Sequence, residues 1–119
     1  MIFSNPIHVY KNPAQCPVVC EVGDIWRIYY SFRINGQAHI SYMDVEAGNP
    51  SNILYDHKKH IAELGGWGKF DEHGMMPTFA IDNKLYYIGW RNLGNGRYEN
   101  TTAVLNLVTM KRSVVLQAD

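Results

Sequence analysis

The sequence predicts an all-β protein, built from two four-stranded antiparallel sheets with little or no helix. Short segments in which apolar and polar residues alternate are separated by turn residues, as strands require. Asn35-Gly36 is the dipeptide best suited to a tight two-residue hairpin. No long segment carries the 3.6-residue apolar period of a helix. The eight Tyr and three Trp residues also favour strands.

The first repeat is predicted to occupy residues 14–64. An apolar strand over 17–22 ends at the Gly23-Asp24 turn, and an alternating strand follows over 25–33. The Asn35-Gly36 turn then returns the chain as a strand over 37–45. The residues after the loop at 48–51 form either a fourth edge strand or an irregular return.

The second repeat is predicted over residues 65–119, and its organising stretch is 69–92. Pro77 lacks an N–H and therefore suits the start of a strand, which ends at the Asp82-Asn83 turn. The aromatic strand 84–90 completes a hairpin. Pro17 and Pro77, 60 residues apart, head comparable strands, and Asn95-Gly96 matches Asn35-Gly36. Repeats of this length with four antiparallel strands are typical of propeller blades.

The chain is predicted to be a single domain over 1–119, with residues 1–13 as an arm or edge strand. Cys16 and Cys20 on one strand would lie roughly 13 Å apart, at about 3.3 Å per residue. A disulfide requires Cα atoms within about 7 Å, so we expect two reduced thiols. Together with an N-terminus that lacks a signal-peptide pattern, this predicts a cytoplasmic protein.

Charge and motif content argue against several classes of partner. The 11 basic and 11 acidic side chains give no net charge and no basic cluster, so neither nucleic acid nor a membrane surface is expected as a partner. No apolar run reaches the roughly 20 residues of a membrane span. His57-Lys58-Lys59-His60 lacks a third ligand nearby and is interpreted as a solvated basic turn, so no metal is expected. Gly94-Asn95-Gly96 lacks the context of a phosphate loop, and no cofactor is predicted.

Two segments carry a resemblance to a known superfamily. GKFDEHGMMP at 68–77, followed by KLYYIGW at 84–90, resembles the five-bladed β-propeller glycosidases, which include arabinanases, invertases and levansucrases. The resemblance covers about residues 14–110. It implies about two blades of such a propeller.

The resemblance implies candidate site residues near the mouth of a central channel. Asp71, Glu72 and His73 would bind sugar hydroxyls there, with Asp71 or Glu72 as the candidate acid/base; alternatively, they form an acidic turn that caps strand N–H groups. Arg33, and Arg91 beside Trp90, would form a polar and aromatic platform for a carbohydrate. An ordinary Arg–Trp structural pair is the alternative.

The same resemblance argues against catalysis. Relatives carry Arg-Asp where this chain has Arg33-Ile34, and an Asp beside the strand-heading Pro where it has Cys16 or Met76. Glycoside hydrolysis requires two carboxylates roughly 5–9.5 Å apart. We therefore expect a non-catalytic protein with a weak carbohydrate site. The alternatives are a glycosidase-like enzyme whose site forms between subunits, and an interaction module kept from a truncated gene.

A two-blade fragment leaves apolar faces that a full ring would bury. The sequence therefore predicts a homo-oligomer. A dimer is favoured, because two-fold closure is the commonest solution. Residues 2–10 are the candidate for an exchanged arm.

Overall fold

The computed structural model describes residues 14–65 and 69–117, with the backbone only for the last of these. The predicted all-β class is confirmed: within those residues there are eight strands and no helix. The predicted N-terminal arm and the stretch 66–68 lie outside the described residues. The strands are β1 (Gln15–Val22), β2 (Ile25–Ile34), β3 (Gln37–Glu46), β4 (Asn49–Asp56), β5 (Gly74–Ile81), β6 (Lys84–Gly94), β7 (Arg97–Asn106) and β8 (Arg112–Gln117).

Each half of the chain is an antiparallel meander. The first meander, β1 to β4, and the second meander, β5 to β8, each pair successive strands in order. Positive φ angles occur at both residues of the turns Asn35-Gly36, Asp82-Asn83 and Asn95-Gly96. This is the signature of a type I′ turn, whose twist matches that of the flanking strands. The hairpins predicted from these dipeptides are therefore confirmed.

The sheets are joined, which corrects one detail of the prediction. Ala38 of β3 and Gly74 of β5 form a parallel bridge, so the two meanders make one eight-stranded sheet instead of two separate ones. The bridge involves a single residue pair. In the segment that follows β4, Ile61 N also donates to Ile40 O of β3, at 2.8 Å.

One element boundary differs from that expected. β4 begins at Asn49, inside the loop predicted at 48–51, and ends at Asp56, with 57–65 irregular, so a fourth strand is present. The last turn precedes Lys111, because the Asn106 side-chain oxygen accepts bonds from Val108 N and Thr109 N. This side-chain bond replaces a backbone ladder bond and ends β7.

The core lies between the two meanders. In the first meander, Tyr29, Ile40 and Tyr42 lie on one face, here called face A; Tyr30, Met43 and Val45 lie on the opposite face, face B. The 60-residue repeat makes face B of the second meander the one with Leu85, Tyr87, Ala103 and Leu105. The main apolar cluster packs face A of the first meander against face B of the second.

This head-to-tail packing explains how two sheets, neither of which could bury its apolar face alone, form one core. The second meander covers the apolar face of the first, as adjacent units do in a repeat protein. No helix in residues 14–65 or 69–117 is long and apolar enough to span a bilayer.

Candidate functional site

A row of five residues crosses the sheet where the two meanders join. Successive pairings connect Arg33 to Ala38, Ala38 to Gly74, Gly74 to Trp90, and Trp90 to Asn100. Ala38 and Gly74 are buried. A Cβ on Gly74 would overlap the Trp90 ring, so the indole lies directly over this glycine. The row therefore carries the Arg33 guanidinium and the Trp90 indole, with Ala38 and the covered Gly74 between them in the strand pairing.

This row forms one side of an open groove of about 520 Å³, which we call the aromatic groove. The lining residues are Arg33, Gly36, His73, Met76, Trp90, Tyr98 and Asn100. The His73 and Tyr98 rings lie 5.7 Å apart, and His73 N donates to Trp90 O at 3.1 Å. Arg33 Nη1 donates to Gly36 O at 3.1 Å, which fixes the side chain over its own turn.

The aromatic groove brings together three of the residues predicted to bind ligand, namely Arg33, His73 and Trp90. Both meanders contribute to it, so the groove requires their junction. An adjoining groove of about 600 Å³ shares His73 and is lined also by Glu72. One carboxylate of the acidic turn therefore faces this side of the molecule.

Asp71 occupies a different environment. Only 1% of the residue is exposed, and its carboxylate accepts a bond from the Tyr87 hydroxyl at 3.0 Å and pairs with Arg112 Nη1 at 2.6 Å. Arg112 also donates to Glu63 O. We call Asp71, Tyr87 and Arg112 the Asp71 cluster. Its placement corrects the expectation that Asp71 stands at an open channel mouth.

The backbone is shaped to admit this carboxylate. A Cβ on Gly89 would lie 2.7 Å from the Cβ of Asp71, so the backbone approaches Asp71 closely at that glycine. A Cβ on Gly65 would also meet the Asp71 side chain. Burial, followed by the charge of Asp71, raises the pKa of Tyr87 above its ordinary value. Tyr87 therefore stays protonated as the donor to Asp71.

Arg91 does not join Trp90 in a platform. Consecutive strand residues point to opposite faces, and Arg91 lies 3.6 Å from Glu99 on the other side of β6. The repeat also aligns Arg33 with Asn92 instead of Arg91, since their partners Ala38 and Tyr98 are 60 residues apart. A bulge between Asn92 and Gly94 lengthens β6 and accounts for the shift by one residue.

Cys16 and Met76, which stand beside the prolines of β1 and β5, contact each other in this fold. Cys16 Sγ donates to Met76 Sδ at 3.0 Å, and the two residues are 60 positions apart. Both cysteines are free thiols, as expected from their spacing. Within the described ranges, no three His, Cys, Asp or Glu side chains are grouped so that they could hold a metal ion.

The basic turn at 57–60 is more structured than expected. The His57 ring stacks on Tyr42 with centroids 4.7 Å apart, and its Nδ1 lies 3.0 Å from the Tyr55 hydroxyl. His60 Nε2 lies 2.9 Å from Glu63 Oε1. The two histidines therefore have separate partners.

Sequence reasoning missed a second cleft, of about 330 Å³, between the meanders. There Arg27 makes two bonds to Asp44, at 2.8 and 3.0 Å, and lies 4.6 Å from the Tyr42 ring centroid. The turn at Asn35-Gly36 fixes the register that pairs Arg27 with Asp44, so this contact was accessible from the sequence. The groove residues Tyr98 and Asn100 carried no comparable signal.

No family model, curated protein or solved structure matches this chain.

Proposed function

We propose that the protein is a non-catalytic, oligomeric carbohydrate-binding protein, derived from a sugar-active five-bladed propeller, and that the aromatic groove is its sugar site. The observation that carries the proposal is that Arg33 of the first meander and Trp90, Tyr98 and Asn100 of the second line one open groove, so a guanidinium and two aromatic rings border the same space. The proposed setting is the cytoplasm, which the free thiols of Cys16 and Cys20 support.

The chemistry of the groove suits a flat polar ring. Aromatic faces at Trp90 and Tyr98 can pack against the C–H face of a pyranose, while Asn100 and Arg33 offer hydrogen bonds to its hydroxyls. The guanidinium has five N–H donors, and one bonds to Gly36. The open shape of the groove implies a weak site, because a small ligand is only partly enclosed.

The carboxylates argue for binding without turnover. Asp71 is buried and paired with Arg112, so it is not presented to a ligand in the groove. Glu72 lines the adjoining groove, and a glycosidase requires a second carboxylate at a defined distance. The competing proposal is therefore a glycosidase-like enzyme in which another copy of the chain supplies the second group next to Glu72.

Titration with monosaccharides, disaccharides and sugar phosphates, followed by NMR, tests the proposal. We expect shifts of the Trp90 indole N–H and of the Asn100 side-chain amide, with dissociation constants in the millimolar range. In Arg33→Ala the shifts should require a several-fold higher concentration of sugar, whereas Arg91→Ala, on the opposite face, should behave as the parent protein. Shifts that spread away from the groove would contradict the assignment.

An assay with chromogenic glycosides of the same sugars distinguishes the binding proposal from the enzymatic one. No release of chromophore is expected at any protein concentration. Hydrolysis that disappears in Glu72→Gln, while the fold is retained, would replace the binding proposal by the enzymatic one.

A further inference from the structure

The cleft between the two meanders, which we call the junction cleft, is separate from the sugar site proposed above. Its volume of about 330 Å³ lies at the lower end of the range of about 300–1,000 Å³ that is typical of small-molecule sites. Such sites occur preferentially where two structural units meet, and this cleft is lined by both meanders and by the segment that follows β4. It shares no described lining residue with the aromatic groove.

Much of the junction cleft is lined by apolar side chains. Three of them are partly buried and pack against the main apolar cluster, namely Ile61, Ala80 and Leu107. Three others remain largely exposed, namely Val22 at 53%, Ile81 at 47% and Met110 at 42%. They come from the end of β1, the end of β5 and the turn before β8, so the fold collects them around one space. A ligand in the cleft would remove this apolar surface from water, which favours binding.

The Arg27 guanidinium is held in one orientation at this cleft. Its Nε and Nη2 atoms bond to Asp44 at 2.8 and 3.0 Å, and its Cζ lies 4.6 Å from the centroid of the Tyr42 ring. His57 also stacks on Tyr42, which fixes that ring further. Nη1 takes no part in the pair with Asp44, and the Arg27 side chain is 37% exposed. Because the guanidinium is already ordered, little conformational freedom is lost when Nη1 donates to a ligand.

The charges at the junction cleft favour an anion. Asp44 balances the charge of Arg27, so the net positive charge comes from Lys84, which is exposed and lines the cleft. None of the described lining residues is an aspartate or a glutamate. The Asn83 side-chain amide offers further N–H donors. A carboxylate accepts bonds from all these donors, whereas a cationic ligand would meet Lys84 without a countercharge.

We propose that the junction cleft binds a small monocarboxylate with an apolar body, such as a medium-chain aliphatic acid. The carboxylate accepts hydrogen bonds from Arg27 and is attracted by Lys84, while the apolar body packs against Ile61, Ala80 and Leu107. Both features are needed, because the apolar side chains alone would suit any apolar ligand and the donors alone would suit any small anion. The inference does not depend on the proposed function, since the two sites have different lining residues.

Four ligands test the two features separately. Hexanoate has both the anion and the apolar chain, acetate has the anion alone, hexan-1-ol has the chain without a charge, and hexylamine, protonated at neutral pH, reverses the charge. In an NMR titration hexanoate should shift the methyl resonances of Ala80 and Met110, with a dissociation constant in the millimolar range. The other three ligands should need a several-fold higher concentration. The Trp90 indole resonance, in the aromatic groove, should not move.

Val22 provides a charge test with a matched control on the same strand. Val22→Lys and Val22→Asp lose the same apolar contact, so the ratio of their hexanoate affinities reports the added charge. Each charge at an exposed site is expected to change affinity by about two- to fivefold, which makes the lysine variant roughly tenfold tighter than the aspartate variant. Hexylamine should show the opposite order. Val19 is 52% exposed on β1 and is not among the described lining residues, so Val19→Lys and Val19→Asp should bind hexanoate equally.

Lys84→Gln is a second charge test, which keeps the proposal testable if the Val22 variants do not fold. It should weaken hexanoate binding by about two- to fivefold and leave hexan-1-ol binding unchanged. Lys59→Gln is its control, because Lys59 is exposed and is not among the described lining residues.

Each contrary outcome contradicts a defined part of the proposal. Hexan-1-ol that binds as tightly as hexanoate would show that the cleft does not select an anion. Acetate that binds as tightly would show that the apolar side chains take no part. Resonances of Ala80 and Met110 that stay unshifted at near-molar hexanoate would show that the cleft takes no such ligand. Failure of the sugar titration, which is followed at Trp90 and Asn100, would contradict the proposed function and leave this site standing.

Discussion

Asp71 and His73 are two residues apart in one turn, yet their side chains lie in different environments. Asp71 points into the protein and is held by Tyr87 and Arg112, whereas His73 points into the aromatic groove and contacts Tyr98. A carboxylate that is buried with its charge must be paired, so the Asp71 cluster contributes to stability. The groove residues stay in contact with solvent, so they are available to a ligand and contribute little to folding.

The comparison predicts that substitutions in the Asp71 cluster lower the stability of the fold more than substitutions in the groove do. In Asp71→Asn the Arg112 guanidinium loses its charged partner, and removal of one member of a buried pair typically costs about 3 kcal/mol or more. We expect the free energy of unfolding in urea to fall by about 3 kcal/mol. Glu21→Gln, at an exposed carboxylate of β1, is the control and should change it by less than about 0.5 kcal/mol. Equal losses of unfolding free energy in Asp71→Asn and in the control would show that the Asp71 cluster is not specially important to stability.

Gly74 tests whether the position of the Trp90 ring depends on the absence of a side chain beneath it. The Cβ of Gly74→Ala would overlap the Trp90 ring, and forced repacking of this kind costs about 1–3 kcal/mol. We expect about 2 kcal/mol of destabilisation and a displaced Trp90 indole N–H resonance. Gly48→Ala meets no atom within 4 Å and should be nearly neutral. An unshifted indole resonance in Gly74→Ala would show that the ring does not lie over this residue.

The pKa of Tyr87 predicts how the cluster responds to alkaline pH. Because this pKa is raised, the folded protein keeps the proton above about pH 10, where the unfolded chain loses it. The contribution to stability is therefore complete below pH 10 and decreases as the pH rises towards the raised pKa. Tyr87→Phe should cost about 1 kcal/mol near neutral pH, from the lost bond to Asp71.

The difference in the free energy of unfolding between the parent chain and Tyr87→Phe, measured in urea, should become smaller above pH 10. Tyr98→Phe, at an exposed tyrosine, is the control and should leave the pH dependence of the parent chain unchanged. A difference that stays constant with pH would show that Tyr87 titrates as an ordinary tyrosine.

Substitutions of Arg33 and Arg91 are expected to have the smallest effect, a change in sugar affinity. They compare the two faces of the sheet directly. Arg33 lies in the groove and Arg91 lies beside Glu99 on the opposite side. Loss of one hydrogen bond to a sugar hydroxyl is worth about 1 kcal/mol, or roughly fivefold in affinity. Isothermal titration should show this loss for Arg33→Ala alone. A matching loss for Arg91→Ala would indicate that the ligand binds elsewhere.

Much of the fold could be predicted because local chemistry determines it. The Asn-Gly and Asp-Asn turns specify left-handed backbone angles, and each fixes the register of its hairpin. The joining bridge between Ala38 and Gly74 could not be predicted, since nothing in either strand specifies a partner 36 residues away. Alternation along β6 separates Trp90 from Arg91, which the predicted platform had placed together.

The candidate site was only partly accessible from the sequence. Arg33, His73 and Trp90 were identified from their chemistry and from the resemblance, and the fold brings them together. Asp71 was placed at a channel mouth because the resemblance to propeller glycosidases implied that position. Its burial depends on Arg112, 41 residues further along the chain, and a partner at that distance leaves no local signal.

The way in which the two meanders are joined has a consequence for the order of folding. Within each half every hydrogen-bonded pair connects neighbouring strands, so only short loops have to close. Between the halves there is one bridge and a large side-chain core. Because contacts of low sequence separation form early, we expect each meander to form first and the two sheets to dock last.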